Sequence, residues 1–170
     1  MDYQDIYLHV TSPETVFLAE ENNKVLAMAG YNSTVLSGIP SLIVEGIAIE
    51  PATQGKGIFA KMTDVARDGE YAVCLRTQNP RMYRALQKYC SSIYPNKSEV
   101  PSAIAEIRTA LAKGMNCEIN ERGIVGGYYG GLFYGEEPTH PKVTSFFKEE
   151  LGLKLERGDA LLCIGLGRSK

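Results

Sequence analysis

The chain has 170 residues, of which 44% are hydrophobic and 22% charged, and its formal net charge is −2. This length and apolar content predict one ordinary domain with a hydrophobic core and argue against disorder. No basic block stands out and no apolar run reaches about 18 residues, so we expect neither nucleic acid nor a membrane as partner. The sequence begins with no recognisable signal peptide, and the expected location is the cytoplasm.

The cysteines predict reduced core positions rather than a metal site. None of Cys74, Cys90, Cys117 and Cys163 forms a CxxC pair, and neither histidine stands at a ligand spacing from them. Cys74 and Cys163 lie in apolar runs, as buried thiols do. No histidine accompanies Cys90 at a recognisable spacing, so we do not expect it to be a nucleophile. We therefore expect no metal.

The first half of the chain predicts a hairpin followed by a third strand. Two β-prone runs flank Asn22-Asn23, residues that tolerate the backbone of tight turns. The segment "SGIP" predicts a second turn, and "SLIVEGIAI" a third strand. Short connections require these strands to pair antiparallel, and the apolar third strand should be central. The segment "DIYLHV" before the hairpin is interpreted as a remnant strand.

Helices and strands alternate after the third strand. A helix is expected from about Gly55 to Arg67, with Ile58, Met62 and Val65 on one side. The strand "YAVCLRT" follows, so the crossover implies a parallel pair. The segment "NPRMYRALQKY" predicts a second helix capped by Asn79.

The last third of the chain is less regular. The segment "PSAIAEIRTALAKG" predicts a third helix, "PKVTSFFKEELG" a short helix and "DALLCIGLG" a final strand. The glycine- and tyrosine-rich residues 121–141 fit either strands around turns or a long ordered loop. The whole order predicts a mixed α/β fold in one domain over residues 1–170.

The stretch "EGIAIEPATQGKGIFAKM", residues 45–62, carries the chemical signal. It leads from an apolar strand through a glycine-rich turn into a helix. A helix N-terminus offers unpaired N–H groups and partial positive charge, and glycines let a large anion approach the backbone. Lys56 adds a mobile cation. The alternative is a tight turn that needs small residues and binds nothing.

This stretch, starting at Val44, resembles motif A of the GNAT superfamily of N-acetyltransferases: an apolar strand, a short loop, then [Q/R]xxGx[G/A] opening a helix. "TVFLAEENNKVLAMAGY" resembles the hairpin before that motif, and "LRTQNPRMYRALQKY" resembles the strand and Asn-started helix after it. The resemblance covers about residues 14–95. It implies a GNAT-like acyl-CoA N-acyltransferase fold whose cofactor-binding core is 14–95. An atypical part, 96–170, would cover the acceptor site. Phe59 departs from the pattern, since Gly or Ala is usual there.

The resemblance also implies a ligand and the residues that hold it. Acetyl-CoA would be the co-substrate, and an amine would attack it directly in a ternary complex. The strand would hold the pantetheine arm and the loop its diphosphate, and Asn79 would contact the arm unless it only caps its helix. The implied binding residues are Ile47, Ala48, Ile49, Gln54, Gly55, Lys56, Gly57, Ile58, Phe59, Ala60, Asn79 and Tyr83. The alternative is a non-catalytic acyl-CoA-binding or regulatory domain on this scaffold.

Candidate catalytic residues come from the strand and the second helix. Glu45 is the candidate general base, because it is the one charge in an otherwise apolar strand. The alternative is a carboxylate paired with a neighbouring arginine. Many members of the family have a tyrosine as general acid at the position that Leu86 occupies here. Tyr83 and Tyr89 are therefore the candidate general acids, and Tyr83 is favoured. Either tyrosine could instead be packed against the sheet.

The acceptor is expected to be a small-molecule or peptide amine. Four glutamates in residues 116–139 face a single arginine, which favours a cationic amine. They are Glu118, Glu121, Glu136 and Glu137. The glycine- and tyrosine-rich part of this segment would form an aromatic-lined wall, or else a solvated hairpin. The sequence leaves a homodimer open.

Overall fold

A computed structural model describes residues 7–8 and 10–167. Its strands are β1 (Thr15–Glu21), β2 (Lys24–Leu36), β3 (Ile39–Ile49), β4 (Ala72–Thr77), β5 (Ser92–Tyr94), β6 (Ile124–Val125) and β7 (Ala160–Leu166). Its α-helices are α1 (Ile58–Ala66), α2 (Pro80–Tyr89) and α3 (Ser102–Met115). Single turns of 3-10 helix lie at Pro51–Thr53 and Leu155–Arg157, and a π-helical turn lies at Phe146–Glu150.

The strands form one mixed sheet in the order β1-β2-β3-β4-β7-β5, with β6 also pairing with β7. β1, β2 and β3 are antiparallel neighbours, whereas β3 and β4 run parallel. The turn residues Asn22 and Asn23 have φ of 51° and 62°, as a two-residue hairpin turn requires. The predicted hairpin, central third strand, parallel crossover and mixed α/β class are confirmed.

Two apolar cores lie on opposite faces of the sheet. The helices α1 and α2 cover one face with Phe59, Met62, Leu86 and Tyr89, joined by the segment from Val143 to Leu155. The helix α3 covers the other face with buried side chains that include Ile104, Ile107 and Leu111. A central strand thus has a side chain in each core at alternate positions.

The structure corrects three expectations. The helix α1 begins at Ile58 rather than Gly55, and Val65 is 69% exposed because Phe59 and Thr63 take the buried side with Met62. Within "DIYLHV", the described residues 7, 8 and 10 are helical rather than extended. Of the two alternatives for residues 121–141, the ordered loop is the one observed, with one short strand, and β5 is a further strand that has no counterpart in the sequence interpretation. No helix in the described ranges is long and apolar enough to cross a membrane.

The packing of α2 on β7 generates a stability prediction. A Cβ atom at Gly165 would lie 3.0 Å from Cys90 Cβ and 3.2 Å from Leu86 Cγ. We expect Gly165→Ala to lower the free energy of unfolding by about 1–3 kcal/mol, because the core is overpacked there. Gly114→Ala is the control, since nothing lies within 4 Å of that added Cβ and the site is helical. It should be neutral or stabilising by up to about 1 kcal/mol. Urea unfolding measures both, and equal effects would contradict the packing.

Candidate functional site

The neighbouring strands β3 and β4 separate before either of them ends. Their pairing runs from Ser41–Ala72 to Val44–Leu75 and stops there. β3 continues to Ile49 while paired with β2, and β4 continues to Thr77 while paired with β7. In residues 46–49, Ala48 is accordingly exposed and the other three are only partly buried, although β3 is a central strand. Alternate N–H and C=O groups of this stretch point into the gap, where an extended ligand could bind the strand edge.

A β-bulge marks the point of separation. Tyr31 pairs with Val44 and Gly30 with Gly46, so Glu45 is an extra residue without a partner on β2. A bulge bends its strand and changes the direction of the local side chains. Here it lies beside the last paired residues of β3 and β4, and Glu45 consequently sits at the apex of the gap.

The glycine-rich turn after β3 leads to an uncapped helix start. Gly57 is the N-cap residue of α1, no side chain caps it, and the first helical bond runs from Lys61 N to the Gly57 carbonyl. By helix geometry the N–H groups of Ile58, Phe59 and Ala60 then have no intrahelical partner. Together with the helix dipole, they make a site suited to an anion.

The turn also leaves room for a large ligand. Gly55 and Gly57 have φ of +80° and +79°, and nothing lies within 4 Å of a Cβ atom built on either. A diphosphate could therefore approach the backbone closely here. Phe59 does not obstruct this approach. Its side chain is 5% exposed and its ring packs edge-to-face on Tyr89 at 6.0 Å, so the departure from the family pattern points into the core.

A second cation stands beside the turn, and sequence reasoning missed it. Arg81 Nε donates to the Thr139 carbonyl at 3.1 Å, and its Nη1 lies 3.5 Å from Gln54 Oε1. Gln54 itself donates to the Ile49 carbonyl at 3.1 Å. Lys56 and Arg81 form no ion pair within the described part of the chain. The only sequence signal was that Arg81 opens the helix after Asn79.

Glu45 is paired with an arginine, as the alternative interpretation of this residue expected. Its carboxylate accepts from Arg76 Nη2 and, at 3.1 Å, from Asn32 Nδ2. Arg76 is the first residue of β4 beyond its pairing with β3. The ion pair therefore bridges the two strands where they begin to separate.

The remaining contacts of Arg76 are weak acceptors. Its Nη1 lies 3.2 Å from Met115 Sδ, and its guanidinium carbon lies 5.3 Å from the centre of the Tyr128 ring. The cavity beside the ion pair is otherwise apolar, with walls that include Ile43 and Leu111. An amine or a carbonyl oxygen at this apex would meet both signs of charge.

The two predicted acids have other partners. The Tyr83 hydroxyl donates to the Pro95 carbonyl at 2.7 Å, and burial raises the pKa of Tyr83 well above its usual value. The Tyr89 hydroxyl donates to Asp64 Oδ1 at 2.9 Å, and burial raises the pKa of Tyr89 as well. Both rings lie in the apolar core, as their alternative interpretation expected, and both hydroxyls donate to acceptors within the protein.

Asn79 caps α2, and a tyrosine from the C-terminal third joins it. The Asn79 side chain accepts from Arg81 N at 2.9 Å. Partial withdrawal from water raises the pKa of Tyr134, although the residue is still 45% exposed, and hydrogen bonds with Thr77 and Asn79 oppose that rise. Its loop is fixed by Gln78, which accepts from Phe133 N at 2.9 Å. Tyr134 thus reaches the C-terminal end of β4 from residues 121–141, a placement that the sequence did not indicate.

Other candidates lie away from the gap. Cys90 is buried, and burial raises the pKa of its thiol to about 11. Glu137 is paired with Lys148 at 2.5 Å. Glu118 and Glu121 line an open groove beside the end of α3. The acidic segment therefore does not converge on the apex of the gap.

Comparisons with known proteins give structural neighbours only. No family model matches the sequence, and neither does any curated protein. The IAA acetyltransferase from Bacillus cereus ATCC 14579 is similar with a TM-score of 0.49 and 16% identity, over 97% of this chain and 85% of that one. The GphF GNAT-like decarboxylase in complex with isobutyryl-CoA has a TM-score of 0.44 and 12% identity, over 98% and 85%.

A GNAT family acetyltransferase from Brucella melitensis in complex with acetyl-CoA is similar over 41% of this chain and 51% of that one. Its TM-score is 0.30 and its identity 22%. The TM-scores of these three structures are below 0.5, so the assignment of the site rests on this chain's own contacts.

The burial of Tyr83 generates a prediction. Tyr83→Phe should lower the free energy of unfolding by about 1–2 kcal/mol, since the Pro95 carbonyl loses its donor inside the protein. Tyr71→Phe is the control, because that residue is 54% exposed. Urea unfolding measures the two variants. Unchanged stability of Tyr83→Phe would contradict the hydrogen bond.

Proposed function

We propose that the chain is an acetyl-CoA-dependent N-acetyltransferase that transfers an acetyl group to an amine by direct attack. The gap between β3 and β4 carries this proposal. It exposes a strand edge at residues 46–49 and leads directly to the open glycine turn and the uncapped start of α1. An open strand edge followed by an anion site matches a ligand with an extended amide arm and a diphosphate.

Different residues would bind different parts of the ligand. The backbone of Ile47, Ala48 and Ile49 would bind the arm of acetyl-CoA, and the N–H groups of residues 55–60 its diphosphate. Lys56 and Arg81 add positive charge at that end. The acetyl thioester supplies the group that is transferred. Extended along β3 from the turn, the arm would bring the thioester toward the apex, where Glu45 lies.

Glu45 is the proposed base. An ammonium acceptor would give a proton to the Glu45 carboxylate, and the nitrogen lone pair would then attack the thioester carbon. A C–N bond forms and the C–S bond breaks. The nitrogen then loses a second proton to become the amide, which balances the proton that the leaving sulfur takes up. No covalent bond to the protein is required, because holding both reactants together supplies much of the rate.

Tyr134 is the proposed acid, in place of Tyr83 and Tyr89. Its hydrogen bonds with Thr77 and Asn79 put its hydroxyl at the end of β4, on the border of the gap. A tyrosine hydroxyl is protonated at neutral pH, so Tyr134 has a proton to give to the leaving sulfur. Leu86 at the usual position of the family is then no obstacle to catalysis.

A non-catalytic acyl-CoA-binding domain is the second candidate. It is favoured by one observation, the Glu45–Arg76 ion pair, which occupies the base before any acceptor binds. Such a domain would bind CoA and release no thiol with any amine.

The test compares two glycines that have the same backbone φ of +79°. Gly57→Ala would put a methyl group into the open space at the start of α1, and we expect the Kd for CoA to rise at least about tenfold, which is the loss of roughly one hydrogen bond to a charged group. Gly38→Ala is the matched control in the turn between β2 and β3, with φ of +79° and nothing within 4 Å of the added Cβ. Both variants carry a similar strain of about 1–2 kcal/mol. Calorimetry measures CoA binding.

Thiol release from acetyl-CoA with a panel of amines then separates the two candidates. Turnover supports the transferase, and CoA binding without turnover supports the non-catalytic domain. If CoA does not bind, or if Gly38→Ala weakens binding as much as Gly57→Ala, the assignment of the glycine turn is wrong.

A further inference from the structure

We propose that the acceptor is a zwitterion of the α-amino acid class, whose ammonium group binds Glu45 and whose carboxylate binds Arg76. This inference rests on the proposed function and names its substrate class. It starts from the ion pair at the apex of the gap, which differs from the other ion pairs of the described residues.

The burial of this pair sets it apart. The side chains of Arg76 and Glu45 are 13% and 24% exposed. In each of the other three ion pairs both side chains are more exposed, and the lysine of each is at least 48% exposed. Exposed pairs of that kind contribute little to stability. Separating two charges that are withdrawn from water is costly. A ligand that separates Arg76 from Glu45 must therefore supply a new counter-charge for each side chain.

An acceptor with only a positive charge would supply a counter-charge for Glu45 but none for Arg76. Its ammonium would pair with Glu45 and displace Arg76. Among the described residues, the guanidinium would then keep the Met115 thioether and the face of the Tyr128 ring as partners, and neither is an anion. A half-buried cation without an anion is unfavourable.

A zwitterion supplies both missing charges. Its carboxylate can take the place of Glu45 on the Arg76 fork, a geometry that suits carboxylates. Its ammonium group, which is attached to the carbon next to that carboxylate, pairs with Glu45. The Glu45 carboxylate keeps its hydrogen bond from Asn32 Nδ2 at 3.1 Å. The single Arg76–Glu45 pair is replaced by two ion pairs with the acceptor, so neither side chain is left without a counter-charge, and the amine is delivered to the proposed base.

The apolar surroundings strengthen this selection. The walls of the adjoining cavity include Ile43, Cys74, Leu111 and Leu162. Electrostatic differences between ligands count for more in such surroundings than in water. The acidic residues Glu118 and Glu121 lie in a different groove and do not provide a competing site for cationic amines at the apex.

The experiment measures thiol release by the unmodified protein with matched acceptors. Each common amino acid is compared with its own amide, which keeps the amine and the side chain but lacks the carboxylate. For the best acceptor we expect kcat/KM to be about 10- to 100-fold higher for the acid than for the amide. This is the effect that a hydrogen bond to a charged group typically has on binding. Equal or higher values for the amides would overturn the inference and leave the transfer reaction standing. No turnover with any acceptor, although CoA binds, would overturn the proposed transferase and this inference with it.

Variants then assign the selectivity to Arg76. Arg76→Gln should reduce the acid-to-amide ratio to near one, and Arg76→Lys should keep part of it. Arg84→Gln on the outer side of α2, where Arg84 contacts Gln87, is the control and should keep the whole ratio. A merely structural Arg76 would lower kcat/KM equally for acid and amide, and that result would contradict its role in binding. If Arg76→Gln does not fold, Arg76→Lys and the unmodified protein decide the outcome.

Discussion

The site depends on the separation of two parallel strands in the middle of the sheet. A central strand normally has both edges hydrogen-bonded, and unpaired backbone groups in a protein interior are unfavourable. β3 has both edges paired only as far as Val44, after which the bulge at Glu45 bends it away from β4. The sheet thereby presents an open strand edge beside a helix N-terminus. The two surfaces need the same kind of ligand, with an extended polar arm and an anionic end.

The bulge also explains why a charge can lie in an apolar strand. Glu45 has no partner on β2, so its side chain does not have to pack among the side chains of the sheet and can pair with Arg76 across the gap. At the apex, β3 and β4 are no longer joined by backbone hydrogen bonds, and the ion pair links them instead. A ligand that separates the pair must supply both charges, which connects the architecture of the sheet to the selection of the acceptor.

Local signals made much of this fold predictable. Asn22-Asn23 indicated the hairpin, Asn79 and Pro80 the start of α2, and Gly57 the turn before α1. Contacts between distant residues were not predictable in detail. An arginine partner for Glu45 was one alternative, but nothing in the sequence identified it as Arg76 or joined Arg81 to Gln54. Val65 fitted the helical period but is exposed, because Phe59 and Thr63 rotate the buried side of α1. Tyr134 was missed for a similar reason, since its loop is fixed by Gln78, which lies 55 residues before Phe133.

The measurement that tests the account most directly is a titration of the isotope-labelled protein with CoA, followed through the backbone amides by NMR. The account predicts that the amides of residues 46–49 and 55–60 shift together and saturate with one Kd. Both the strand edge and the helix start would then respond to a single ligand. Saturable shifts confined to the groove beside the end of α3, with none in residues 55–60, would contradict it.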